Sequence, residues 1–243
     1  MTPRLFCPPP LAAGAETALP SAAAHHATRV LRLKRGDAVT LFDGEGGEFP
    51  AALARVDAYA VIARLGGRES VERESPLTVT LVQGLTTAER MDYAIQKAVE
   101  LGVAEIAPVA TARSVTRLVG ERAQRRLEHW RQIAIASCEQ CGRNRLPRLR
   151  PPCDLSQWLA EPSSASLRLM LAPDGARSLS GLAPPMGAIE LLVGPEGGFT
   201  PEEAEAARGA GFQAVRLGPR ILRTESAGPA MLAAMNALWG DWR

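Results

Sequence analysis

The sequence predicts an α/β protein built in two parts, a small β-barrel of short strands followed by a larger domain with a parallel sheet. Three observations carry this. Residues 1–75 hold short apolar or alternating runs broken by turn residues, the pattern of a small barrel. From Leu77 onward, apolar strand-like runs alternate with helix-like stretches, which argues for parallel pairing. Near the end, two glycine-bearing segments, 191–200 and 217–226, each join a short apolar run to a helix-like stretch. In open α/β sheets such loops gather at the strand edge where ligands bind.

In order, strands are predicted at 38–42 and 51–56, joined through the turn residues Asp43-Gly44-Glu45-Gly46-Gly47, and a third at 60–65. Residues 25–33 read as a short helix or turn that carries Arg29 and Arg32, with Lys34 following. The charged stretch 68–75 reads as a linker, which gives domains of 1–70 and 75–243. A strand at 77–82 opens the second domain. A helix follows from Thr86, which with Glu89 forms a capping box. Met91, Ile95, Ala98 and Val99 supply its buried stripe, and Gly102 ends it. A strand at 106–109 precedes a long helix at 121–141. Further strands are predicted at 167–172, 189–193 and 214–217. The last helix, 227–239, is apolar almost all round through Met231, Leu232, Met235, Leu238 and Trp239. Such a helix is buried on several sides, within one subunit or against a partner.

Composition narrows the classes of function. The chain has 243 residues and 46% hydrophobic content, room for one large or two modest domains. No apolar stretch is long enough to span a bilayer, and the first residues lack the apolar core of a secretion signal, so a cytoplasmic location is expected. Formal net charge is only +2, but residues 113–150 hold ten arginines against Glu121, Glu128 and Glu139. A basic segment in an otherwise slightly acidic chain is the electrostatic footprint of RNA binding, or else a solvated helix face. Cys138 and Cys141 form a lone C-x-x-C. With no second pair nearby, and with Leu127, Trp130 and Ala134 on the same helical stripe, they read as core cysteines, and no metal site is expected.

The two glycine segments carry the chemistry. In the first, Thr200 is a helix N-cap, Pro201 suits the first helical position, and Glu203 completes a capping box. A helix N-terminus attracts phosphate, but Glu196, Glu202 and Glu203 crowd this one and repel anions. No Gly-x-x-x-x-Gly-Lys-Ser/Thr occurs. An acidic, glycine-lined pocket therefore suits a neutral or cationic nucleotide-like ligand. The second segment sets Arg220, Arg223 and Glu225 among Gly218, Pro219 and Thr224.

The two segments resemble the cofactor loops of knotted SPOUT-type methyltransferases, and more narrowly the ribosomal RNA small subunit methyltransferase E family. The stretch Glu-Arg-Met-Asp-Tyr-Ala-Ile-Gln-Lys-Ala-Val-Glu-Leu-Gly-Val (89–103) fits the same family. So do Ala-Arg-Ser (112–114), Glu-Gln-Cys-Gly-Arg-Asn-Arg-Leu-Pro (139–147), His-x-x-Arg-Val-Leu-Arg-Leu-Lys-Arg-Gly-Asp (26–37) and Phe-Asp-Gly (42–44).

The resemblance implies a PUA-like N-terminal β-barrel, a C-terminal SPOUT α/β domain with a trefoil knot near 170–228, and a homodimer. It implies methyl transfer from S-adenosylmethionine to N3 of a uridine in 16S ribosomal RNA, free or in the small ribosomal subunit. Carried over residue by residue, it assigns cofactor contacts to Leu171, Ala172, Gly194, Pro195, Glu196, Gly197, Gly198, Leu217, Gly218, Ile221, Leu222 and Thr224. Catalytic roles go to Arg223 and Arg220 as stabilisers of the uracil anion. Glu225 is either the proton acceptor or the group that orients an arginine. RNA contacts are expected at Arg4, Arg29, Arg32, Lys34, Arg113, Arg143 and Arg145. Two alternatives remain: a related enzyme acting on another RNA, such as transfer RNA ribose, and a non-catalytic RNA-binding relative.

Overall fold

The structure, a computed structural model, describes residues 2–175 and 177–242. Its contacts divide the chain into two units: residues 1–74 with 135–146, and 75–134 with 147–243. The expected second domain ran unbroken from 75 to 243. In the structure, residues 135–146 pack instead with the first unit, for reasons given below.

The first unit contains β1 (Arg4–Phe6), β2 (Glu16–Ala18), α1 (Ser21–His25) running on into a π-type turn (His26–Val30), β3 (Ala38–Phe42), β4 (Phe49–Val56) and β5 (Val61–Leu65). The strands form one sheet in the order β1-β3-β4-β5-β2, antiparallel except for the β1–β3 pair. Period-two burial explains the three strands read from sequence. Val39 and Leu41 of β3, Leu53 of β4, and Val61, Ala63 and Leu65 of β5 turn into one core with Leu5, Leu19, Ala23 and Ala27. The strands β1 and β2 are three residues each, too short to show a period.

An ionic network explains the company of residues 135–146. Glu48, nearly buried, pairs with Arg4 at 2.6 Å and Arg73 at 3.0 Å. It also accepts from the Asn144 amide, itself fully buried. Arg143 pairs with Glu74 at 2.7 Å. Two expectations are corrected by these contacts. The stretch 68–75 is not a free linker, since Glu72, Arg73 and Glu74 are tied to Arg145, Glu48 and Arg143. Arg4 and Arg143, predicted as RNA contacts, have side chains only 9% and 5% exposed and are spent on these carboxylates.

The network sets a pH dependence. Burial would raise the Glu48 carboxyl, but hydrogen bonds from Arg73, Arg4 and Asn144 outweigh it and hold it at about 2, against an ordinary 4.5. A depressed carboxyl stabilises the folded state above its unfolded pKa, and this contribution is lost as pH falls from 4.5 toward 2. The whole contribution is about 3 kcal/mol. Urea unfolding followed by circular dichroism should show more than half of it gone by about pH 3. Glu48→Gln should flatten that slope.

The second unit contains β6 (Val79–Gly84), α2 (Ala88–Glu100), β7 (Glu105–Ala110), most of α3 (Gly120–Cys141), β8 (Arg148–Leu149), β9 (Cys153–Asp154), α4 (Leu155–Ala160), β10 (Leu167–Leu171), β11 (Arg177–Ser178), β12 (Ile189–Val193), α5 (Pro201–Gly209), β13 (Gln213–Arg216) and α6 (Thr224–Trp239). Its sheet is parallel throughout, in the order β11-β13-β10-β12-β6-β7-β8, with β9 also on β7. All five residues of β12 are buried, as a central strand covered on both faces requires. The strand β13 lies beyond β10, yet α6, which follows it, packs on α2 and β12.

Two helix starts differ from expectation. The cap of α2 is Thr87, not Thr86; Thr86 is buried and its hydroxyl is used elsewhere. α6 begins at Thr224, three residues earlier than read from its apolar face, because its first turn is polar. On the stripe of α3, Trp130, Ala134 and Cys138 are buried. The Cys138 thiol is pushed up to about 12, chiefly by burial, as befits a core side chain. Among the described residues no helix is long and apolar enough to cross a membrane.

Candidate active site

The site is built where β6, β12 and β13 end. After Val193 the chain turns through residues 194–199 into α5. Thr200 accepts a hydrogen bond from the Glu203 amide at 3.2 Å, and the Glu203 carboxylate accepts one from the Thr200 amide at 2.9 Å. This is the capping box read from sequence. After Arg216 the chain turns through 217–223 into α6. Gly198 and Gly218 sit at φ 66° and 68°, the left-handed region that favours glycine.

Thr224 joins the two turns. Its hydroxyl donates to the Gly194 carbonyl at 2.6 Å and accepts from the Gln83 amide of β6 at 3.0 Å. β6 itself ends at Gly84, where an added Cβ would lie 2.6 Å from the Pro195 nitrogen. The loop can rest on the strand only because that side chain is missing.

Between the two turns lies a cavity of about 980 Å³. Leu171, Ala172, Gly194, Pro195, Glu196, Gly198, Leu217, Gly218, Ile221, Leu222 and Thr224 all line it, and so do Arg220, Arg223 and Glu225. The structure thus brings together residues separated by some 50 positions, with one exception. Gly197 does not line the cavity. It faces Arg113, whose guanidinium donates to the Gly197 carbonyl at 2.8 Å and whose Cβ would lie 3.0 Å from an added Cβ. Arg113 was predicted as an RNA contact; in the structure it braces the first loop. Arg29, Arg32 and Lys34 are exposed on the first unit, and Arg145 is 57% exposed beside Glu72.

The acidic side of the cavity is more ordered than the sequence suggests. Glu196 accepts from the Thr86 hydroxyl and, at 2.8 Å, from the Arg90 guanidinium of α2. Burial raises its carboxyl, but these bonds and backbone amides outweigh burial and leave it below the ordinary glutamate range. Arg90 also lies 3.7 Å from Glu225. The arginine beside Glu225 is thus Arg90 of α2, a residue the sequence reading did not single out. The other Glu225 oxygen is buried without a protein partner. Arg220 and Arg223 are exposed at the cavity and make no ion pair among the described residues.

Sequence reasoning missed Arg90, Thr86 and Gln83. Arg90 belongs to a segment already singled out by resemblance. Its pairing with a glutamate 106 residues later had no local sign.

The cavity offers backbone from glycine turns, an apolar wall, a carboxylate pair bridged by one arginine, and two uncommitted guanidiniums. Such a site suits a nucleotide-like molecule with cationic character.

Known proteins show the same architecture. Residues 73–236 match the family model described as RNA methyltransferase domain, and residues 19–65 match the RNA methyltransferase PUA domain. A ribosomal RNA small subunit methyltransferase E from Synechocystis is 33% identical over 98% of this chain and 78% of its own length. One from Mycobacterium bovis is 32% identical over 89% of this chain and 84% of its own. Among solved structures, a ribosomal RNA small subunit methyltransferase E from Neisseria gonorrhoeae bound to S-adenosyl methionine superposes with a TM-score of 0.94. It is 40% identical and covers 100% of both chains. A Legionella pneumophila protein solved in complex with the cofactor SAM gives a TM-score of 0.95 at 38% identity, over 99% of each chain. With its PUA domain and its methyltransferase domain both matched, the chain belongs to the ribosomal RNA small subunit methyltransferase E family.

Proposed function

We propose that this protein transfers a methyl group from S-adenosylmethionine to N3 of a uridine in 16S ribosomal RNA. The observation that carries the reading is the single cavity lined by both glycine turns together with Arg220, Arg223 and Glu225. The cavity suits the donor. It is large enough for a nucleoside with an amino-acid tail, and its buried, unpartnered Glu225 oxygen calls for a hydrogen-bond donor or a positive charge.

When bound, the donor supplies an activated methyl group. The chain's own residues then have three tasks. Gly194, Gly198 and Gly218 let backbone approach the ligand closely. Glu196 and Glu225, held by Arg90, give the site its negative side. Arg223, three residues after Arg220, offers positive charge to the uracil as N3 gives up its proton to solvent water. Glu225 acts as a positioning group. Glu225→Gln should therefore lower the rate by less than roughly tenfold and leave the shape of the pH–rate profile unchanged.

The residues 217–223 thread the loop at 194–199 in a trefoil knot in this reading. The support is β13 lying beyond β10 while α6 returns to α2 and β12. The working form is a homodimer, supported by Leu238, 42% exposed on α6, and by Ile221, 81% exposed. Light scattering should return about twice the chain mass.

The reaction is tested with 16S ribosomal RNA from cells lacking the modification. Incubation with the protein and labelled donor, then nucleoside digestion and mass spectrometry, should place the label on the uracil base at N3. Label on ribose would transfer the chain to the alternative class of RNA substrate.

A further inference from the structure

A second cavity, of about 410 Å³, lies wholly within the second unit and shares no lining residue with the larger one. Thr86 stands between them, lining the smaller cavity while its hydroxyl donates to Glu196 of the larger. The half-buried Leu118, with Leu85 and Met91 almost wholly buried, gives the smaller cavity an apolar floor. One side is strongly basic. Arg122, Arg125 and Arg126 occupy neighbouring turns of α3 and face the same way. Arg122 and Arg126 make no ion pair among the described residues. Arg125 lies 3.6 Å from Glu121, but both are exposed, so the pair neutralises little. One turn further on, Trp130 lines the same cavity at 1% exposure, and its indole N–H is buried without an acceptor.

A concave site with unneutralised guanidiniums, a wanting N–H donor and an apolar floor matches a phosphate joined to a flat apolar group. Its volume exceeds what a phosphate alone would fill and lies in the range of small-ligand pockets. We propose that this cavity holds one nucleotide of the substrate RNA strand, with its phosphodiester against Arg122 and Arg126 and its base against Leu118. The inference rests on the reading of the chain as an RNA methyltransferase. It adds a place where the strand is gripped beside the cofactor cavity, which fixes the strand's position relative to the reacting uridine.

The test is fluorescence-anisotropy titration of a labelled single-stranded oligonucleotide of 16S sequence at several salt concentrations, on the full chain. The double variant Arg122→Gln/Arg126→Gln should lose roughly tenfold in RNA affinity. Its plot of log affinity against log salt should be shallower by about 1.4, the slope of two single-strand phosphate contacts. Calorimetric affinity for S-adenosylhomocysteine should not change. Arg131→Gln, exposed on α3 and outside the cavity, should do markedly less.

An unaltered slope in the double variant overturns the proposal, as does a loss matched by Arg131→Gln. A change of oligomeric state with RNA affinity unaltered also overturns it, by giving the cavity to a subunit contact. Uridine monophosphate is the second probe. Binding tighter than the oligonucleotide would assign the cavity to a free nucleotide and overturn the strand. If wild-type protein binds and methylates ribosomal RNA but the double variant is unaltered, only this cavity's role falls. If wild type binds no ribosomal RNA at all, the methyltransferase reading falls with it.

Discussion

Arg223→Ala is expected to slow methyl transfer to ribosomal RNA by roughly tenfold to a hundredfold, with donor affinity near that of wild type. The structure separates this residue's two halves. Its backbone is fixed by α6, since its carbonyl accepts from the Ser226 and Ala227 amides at 2.9 Å each. Its side chain is exposed at the cavity and makes no ion pair among the described residues. Alanine keeps the first and removes the second. A guanidinium held ready beside a base that must become anionic acts on the transition state and adds little to donor binding. Single-turnover kinetics with labelled donor, beside calorimetry with S-adenosylhomocysteine, would separate the two. A wild-type rate would remove Arg223 from the chemistry.

Gly84→Val is expected to weaken donor binding by roughly a hundredfold or more, although the residue does not line the cavity. An added Cβ would lie 2.6 Å from the Pro195 nitrogen and 2.9 Å from the Gly194 carbonyl carbon. Both are backbone atoms, so no side-chain rotation relieves the clash. The loop must lift from β6, and the link from Gln83 through Thr224 to Gly194 is strained with it. Gly197→Ala makes the control. Its new methyl meets no backbone atom, only Arg113, whose Cβ at 3.0 Å must give by a few tenths of an ångström, so donor affinity should fall far less than in Gly84→Val. Near-ultraviolet circular dichroism on both variants would establish that each remains folded. Equal affinities for the two would mean that the first loop does not shape the site.

The Gly197 case marks how far local sequence goes. The strand β12, the α5 capping box and the place of both turns on one cavity were legible, because each is written in adjacent residues: an apolar run, a Thr-Pro-x-Glu start, glycines between strand and helix. Which way each glycine faces was not, because it depends on Arg113 arriving from 84 positions away. Thr86 fails as a predicted cap for the same reason: its hydroxyl has a partner 110 residues later. The basic segment 113–150 was legible as charge, but charge alone does not separate Arg143, buried on Glu74, from Arg122 and Arg126, which face a cavity. Residues 135–146 joined the first unit through Asn144 and Arg143, polar residues with no periodic pattern to announce a core.

The central claim is that the turns at 194–199 and 217–223 together grip the methyl donor. A crystal structure of the full chain with S-adenosylhomocysteine tests it most directly. The account places the ligand against Gly194, Gly198, Leu217 and Leu222, within reach of Glu225. Density for the ligand in the first unit, or in the smaller cavity beside Trp130, would contradict it.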